Sequence, residues 1–204
     1  MTAARAAMPL RETLAVLRAA RADGNVVVTS MGTAREWMAM GPLHARDFVF
    51  VPSSMGQAPS LALGLALAQP ARRVVACSGD GSMLMSLGVL ATITAEAPAN
   101  LVLLVFDNGV YEVTGAQPTP GSALGRRDAR DVDFAAMARA CGFGAVYRFS
   151  DLDEWRARVG EVLSATGPTF VVLDVAPVPG AVGPRSPGPT PERARRFMEA
   201  LRAG

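Results

Sequence analysis

The sequence predicts an α/β fold, a doubly wound, mostly parallel sheet flanked by helices. Three observations carry that expectation. Short, β-branched, almost wholly apolar runs at residues 73–77, 101–106 and 169–175 have the composition of strands buried on both faces. Segments of helical length separate these runs, and that alternation builds parallel crossovers. The chain has 204 residues, 50% hydrophobic and 19% charged, which suits one large domain with a sound core.

Residues 1–24 are an Ala- and Arg-rich amphipathic segment with a helix expected over 9–22. NVVVTS at 25–30 is β-branched and reads as a strand. Met31-Gly32-Thr33 reads as a turn, 34–40 as a helical segment and 48–51 as a second strand. Met55-Gly56 is expected to open a helix through Leu61, Leu65 and Leu67, rich enough in Ala and Gly to pack closely. Strand 73–77 runs into Gly79-Asp80-Gly81-Ser82, followed by a helix over 82–97 that Pro98 stops. Strand 101–106 ends at Asp107-Asn108-Gly109.

From 112 to 131 the chain turns polar, Gly/Pro-bearing and unpatterned, and so long a loop after a turn is more often functional than decorative. A helix over 133–141, a strand over 145–149, a helix over 151–165 with an aspartate at its start and a strand over 169–175 complete the alternation. The organisation is then a helical segment (1–24), a core domain (25–176), and a Pro/Gly-rich tether with a C-terminal helix at 192–202 (177–204). No internal repeat is visible.

Composition excludes several chemistries. A formal charge of +2 is too small to suggest nucleic acid. All 20 basic residues are arginine, which removes a Walker-type phosphate lysine, a pyridoxal Schiff base and any lysine nucleophile. The single histidine, His44, cannot build a histidine metal cluster and reads as a core or surface residue. Cys77 and Cys141 lie far apart in apolar or helical settings, as free thiols do, and two cysteines cannot hold an iron–sulfur cluster. No apolar run reaches membrane-spanning length and no signal-peptide core is seen, so a cytoplasmic protein without a membrane partner is expected.

The chemistry concentrates between Val74 and Val113. One helix, one turn and one strand separate the Gly79-Asp80-Gly81 turn from Asn108, and a β-α-β crossover of that length brings both turns to one sheet edge. Asp80 offers a hard anionic oxygen and Asn108 a neutral amide oxygen. Mg²⁺ is held by a few such protein oxygens together with a diphosphate. Gly79 and Gly81 let backbone N–H groups approach a phosphate at the helix start.

Strand, GDG-Ser, helix, strand and Asn-Gly in this order resemble the cofactor motif of thiamine diphosphate enzymes. Residues 52–68 (PSSMGQAPSLALGLALA) resemble the SMG…ALGLALA stretch of the decarboxylases in that family, and NGVYEVTGAQPT at 108–119 resembles the NG…TGxQPT run of phosphonopyruvate and sulfopyruvate decarboxylases. Asp107 departs from a first Asn found in many relatives, at a position that is not the usual metal ligand. The resemblance implies the thiamine diphosphate-binding fold over 25–176. It also implies Mg²⁺ held by Asp80, Asn108 and the Val110 carbonyl, and a diphosphate held by Gly79, Gly81 and Ser82. Gly32, Thr33, Ser54 and Tyr111 are further cofactor contacts, and Met55 is the bulky residue that supports the cofactor's bend.

In this family a glutamate from a pyrimidine-binding domain activates the cofactor. Glu36, Glu96 and Glu112 are poor candidates, so a partner (alpha) subunit is expected to supply it and to share the active site. The activity implied is decarboxylation of a 2-oxo acid, which in sulfopyruvate and phosphonopyruvate bears a second strong anion. Arg126, Arg127 and Arg130 could meet that anion, with Gln117 and Thr114 as modest substrate contacts. Rival readings are an acetolactate-synthase-like carboligase subunit, the β subunit of a 2-oxo acid oxidoreductase (whose cluster cysteines are missing), or a non-catalytic cofactor-binding subunit.

Overall fold

The computed structural model describes residues 7–52, 55–124 and 131–203. Its centre is a seven-stranded sheet, every pair of which is parallel. In chain order, β1 (Met8–Pro9) leads into α1 (Leu10–Ala20), β2 (Val26–Ser30) into α2 (Met31–Ala39), and β3 (Asp47–Phe50) into α3 (Ala58–Ala68). Next come β4 (Val74–Gly79), the paired helices α4 (Asp80–Leu84) and α5 (Val89–Glu96), and β5 (Leu101–Asp107). A small hairpin, β6 (Val110–Tyr111) with β7 (Gln117–Pro118), precedes α6 (Phe134–Cys141), β8 (Ala145–Phe149), α7 (Leu152–Ser164), β9 (Thr169–Ala176) and α8 (Thr190–Arg202).

Across the sheet the order is β3, β2, β4, β5, β9, and then β8 and β1 share the far edge of β9. Because side chains alternate along a strand, the apolar runs supply two cores at once. Val26, Val28, Ala76, Leu103 and Val105 face α3, α5 and α6. Val27, Val75, Cys77, Leu104 and Val171 face α1 and α7, against Trp155 and Leu14. Asp151 caps α7 by accepting from the N–H groups of Asp153 and Glu154 at 3.0 and 2.9 Å. At the other edge α8 packs on β3, with the Phe48 and Phe197 rings 4.9 Å apart. Arg193 donates from α8 to the Val49 carbonyl at 2.6 Å and also to the Val51 carbonyl.

Four local expectations give way. Met31-Gly32-Thr33 is no free turn, because α2 starts directly at Met31, which adopts φ 50°. The helix expected from Met55 begins only at Ala58, after a turn in which Gly56 holds φ 89°. The single helix expected over 82–97 is two, since residues 85–90 tighten into i→i−3 turns around Gly88. The stretch from 112 is partly ordered as the β6–β7 hairpin and a 3₁₀ turn at Glu112–Thr114. No helix among the described residues is long and apolar enough to cross a membrane.

Candidate functional site

From β2 the chain passes to β3 on one side, whereas β4 and β5 lie on the other. The carboxyl ends of β2, β4 and β5 therefore border a topological switch point, where open α/β sheets bind ligands. Gly79 pairs with Phe106 in register, so the next residues, Asp80 and Asp107, stand side by side at that edge with the Asn108 turn beyond them. A cleft of about 700 Å³, counting space open to solvent, lies over these ends.

Asp80 opens α4 at the floor of the cleft and is only 2% exposed. Its carboxylate accepts from the Thr119 hydroxyl at 3.2 Å and from the backbone N–H groups of Gly81 and Asn108. The two turns thus converge on one carboxylate. Burial first, and the Asp107 charge second, push the Asp80 carboxyl up to about 7 despite those hydrogen bonds. The nearby cation, Arg148, is bound two-pronged to Asp174 at 3.0 and 3.1 Å and stands 3.9 Å from Asp107. Among the described residues no positive charge compensates Asp80 itself.

Asn108 is held at both ends of its amide. Its Oδ1 accepts the Val110 N–H at 3.0 Å, and its Nδ2 donates to Glu112 at 2.9 Å. Glycine is required at Gly81, where a Cβ would sit 2.5 Å from the Tyr111 ring and 3.3 Å from Thr119. At Gly79 a Cβ would meet nothing within 4 Å, so the backbone there borders open space. Gly81→Ala is therefore expected to push the Tyr111 ring off its seat and weaken cofactor binding at least about tenfold in a titration, with folding retained by circular dichroism. Unchanged binding would show that this contact has no part in holding the ligand.

Of the other residues singled out from sequence, Gly32, Thr33, Met55, Ser82 and Val110 all border the cleft. The Thr33 hydroxyl is committed to backbone, donating to the Ser30 carbonyl at 2.7 Å and accepting the Ser30 N–H at 3.2 Å, and the Thr33 N–H turns back to the Ser30 side chain in a capping box, so Thr33 shapes the start of α2 at the cleft wall. Met55 stands in the turn before α3, where Ser86 donates to the neighbouring Gly56 carbonyl at 2.7 Å. Thr114 borders the cleft while Gln117 is exposed, and the two side chains bond each other at 2.9 Å. Ser54, Arg126, Arg127 and Arg130 lie outside the described residues. Glu36 pairs with Arg35 and Glu96 is exposed at the end of α5. His44 sits before β3, at the opposite end of the sheet, bonded to Asp23. Cys77 is buried inside β4, where burial first and Asp47 second push its thiol upward, as befits an inert core cysteine.

Thr119 and Glu112 gain site roles the sequence did not reveal. Thr119 had a signal, its place in the QPT run, but its bond to Asp80 spans 39 positions. Glu112 was visible only as a carboxylate in the loop.

The donor set fits a magnesium ion completed by a diphosphate. It offers a desolvated carboxylate, without a counter-cation among the described residues, beside an amide oxygen and under open space lined by glycine. Among the described residues no cluster of three or more His, Cys, Asp or Glu side chains could hold a metal alone, and Mg²⁺ is the ion that uses few protein oxygens plus phosphate.

Residues 25–173 match the family model described as thiamine pyrophosphate enzyme, C-terminal TPP binding domain. The chain is 42% identical over 175 residues to a phosphonopyruvate decarboxylase of Streptomyces hygroscopicus, covering 85% of this chain and 41% of that protein. It is 33% identical over 153 residues to sulfopyruvate decarboxylase subunit beta of Methanococcus maripaludis, covering 75% and 77%. A benzoylformate decarboxylase structure from Polynucleobacter necessarius shares the fold, with TM-score 0.67 at 23% identity over 87% of this chain and 35% of that one. The chain thus spans about two fifths of the phosphonopyruvate decarboxylase but three quarters of the separate beta subunit. By its residues 25–173 and by these relatives, the chain belongs to the thiamine pyrophosphate enzymes and carries their TPP-binding domain.

Proposed function

We propose that this chain is the cofactor-holding subunit of a thiamine diphosphate- and Mg²⁺-dependent decarboxylase of a 2-oxo acid, sulfopyruvate- or phosphonopyruvate-like. The observation that carries the reading is Asp80, a buried carboxylate with no compensating cation among the described residues, brought against the Asn108 turn at the sheet's switch point.

In this reading Asp80, the Asn108 Oδ1 and the Val110 carbonyl hold Mg²⁺. Backbone at Gly79, Gly81 and Ser82 holds the diphosphate, with Gly32, Thr33, Ser54 and Tyr111 around it, and Met55 supports the bent coenzyme from across the cleft. When bound, thiamine diphosphate supplies an electron sink that lets a 2-oxo acid lose carbon dioxide. The chain's own work is to bind, orient and exclude water. Leu10, Met31, Phe106, Val113 and Val175 give the cleft apolar walls, which strengthen the metal's grip by lowering the local dielectric.

The activating glutamate comes from a partner chain carrying the pyrimidine-binding domain. Two features support that part: relatives that match over most of their length are named as beta subunits, and Glu112, the one glutamate bordering the cleft among the described residues, is already bonded to Asn108, Arg35 and the Val178 N–H. Co-expression with a candidate alpha subunit, followed by carbon dioxide release from a panel of 2-oxo acids, tests it. Turnover is expected only from the pair, with sulfonated or phosphonated acids preferred. Turnover by this chain alone would end the two-subunit reading, and carbon–carbon ligation products in place of aldehyde would move it to the carboligases.

A further inference from the structure

We infer that Glu112 is a positioning residue, which sets the orientation of the Asn108 amide for the metal and ties that amide to the segment after β9. The inference deepens the magnesium reading above and rests on it.

An amide can sit either way round, and here its two ends face opposite chemistry. Nδ2 lies 2.9 Å from a Glu112 carboxylate oxygen, which can only accept, and Oδ1 lies 3.0 Å from the Val110 N–H, which can only donate. Reversing the amide would set acceptor against acceptor and donor against donor. Asn108 is therefore locked with its oxygen on the side of Val110, whose carbonyl belongs to the proposed metal set. An oxygen has two lone pairs, so accepting the Val110 N–H leaves Oδ1 one for a cation.

Glu112 is itself fixed on every side. The oxygen that takes the Asn108 amide also accepts the Val178 N–H at 2.8 Å. Its other oxygen is held by Arg35 at 3.2 Å, and Arg35 reaches on to the Val182 carbonyl at 3.1 Å. Its side chain is 5% exposed, in contact range of Gly32, where a Cβ would come within 3.1 Å of the carboxylate. A single buried carboxylate thus joins the start of α2, the metal turn and the tether leading to α8. A glutamate placed here only to neutralise Arg35 would have no need of the amide.

Reach and charge can be separated by two substitutions. Glu112→Gln keeps an acceptor oxygen at the same reach, whereas Glu112→Asp keeps the charge and withdraws the oxygen by one methylene. The readout is the Mg²⁺ concentration giving half-maximal thiamine diphosphate binding to the full chain. A second readout is the side-chain amide signal of Asn108 in ¹H–¹⁵N spectra of the chain without cofactor. Glu112→Gln is expected to stay within about threefold of wild type and to keep a shifted, hydrogen-bonded amide pair. Glu112→Asp is expected to need at least about tenfold more Mg²⁺, in the range seen for residues that orient metal ligands, with that amide signal lost. The reverse pattern, with aspartate benign and glutamine impaired, would mean that charge against Arg35 is what matters and would overturn the inference. Equal behaviour of both variants and wild type would overturn it too, provided Asp80→Ala loses binding. If wild type itself shows no Mg²⁺-dependent binding, the magnesium reading fails first.

Discussion

Replacing Asp80 with Ala is expected to abolish magnesium-dependent retention of thiamine diphosphate, a loss on the order of 100-fold or more. The carboxylate is the one anionic donor of the proposed set, and Asn108 with a backbone carbonyl cannot hold a strongly hydrated dication without it. The fold is expected to survive. Asp80 is buried against Asp107 with its charge form disfavoured, so its removal relieves repulsion at the sheet edge even as it leaves the Thr119 hydroxyl without its acceptor. Equilibrium dialysis with and without Mg²⁺, alongside thermal melting, separates the two effects. Retention at the wild-type level would remove the metal assignment.

The second large effect is on stability against pH. Unfolded, the Asp80 carboxyl titrates near its ordinary value of about 3.9, whereas folded and without metal it is raised to about 7. Below pH 4 both states hold the proton and nothing is lost. As pH rises from 4 to 7 the unfolded chain releases its proton while the folded chain keeps it, so the fold loses stability on the order of 4 kcal/mol. Above 7 both states are ionised and the loss is constant. Asp80→Asn keeps the hydrogen-bond acceptor and cannot ionise. Its stability advantage over the metal-free wild type is therefore expected to grow between pH 4 and 7 and then level off in chemical denaturation. Mg²⁺ with thiamine diphosphate is expected to erase that advantage above pH 7, by giving the carboxylate its counter-charge. An advantage independent of pH would show that Asp80 is not the desolvated group it appears on geometry.

Much of this was legible in the residues because burial writes itself into composition. VVACSG, LVLLVFD and TFVVLDV are apolar on both faces, and they became β4, β5 and β9, the middle of the sheet. The two turns that matter follow such runs directly, so their convergence at one edge could be reasoned from crossover length alone. Three features could not. Met8–Pro9 is too short to show any period, and its pairing with Val175 and Ala176 depends on a partner far along the chain. The opening of α2 at Met31 requires a left-handed residue that is not glycine, a tertiary demand overriding local preference. The break between α4 and α5 combines a weak helix former, Gly88, with a bond from Ser86 out to Gly56 that no local rule foresees. At the site the side chains proposed as ligands were readable, but what holds them in place was not. Glu112 meets Asn108 four positions away, within reach of sequence reasoning, yet its other partners, Arg35 and Val178, lie 77 and 66 positions off.

The grip of Arg193 on β3 has a consequence beyond local packing. β3 pairs with β2 along one side only, and in a parallel ladder alternate carbonyls face outward. The two that Arg193 takes, Val49 and Val51, are on that outward side, and the Phe197 ring covers the adjoining Phe48. The C-terminal helix thereby denies a stray strand the acceptors it would need to extend the sheet, which protects a chain this rich in β-branched runs from self-association through its edge.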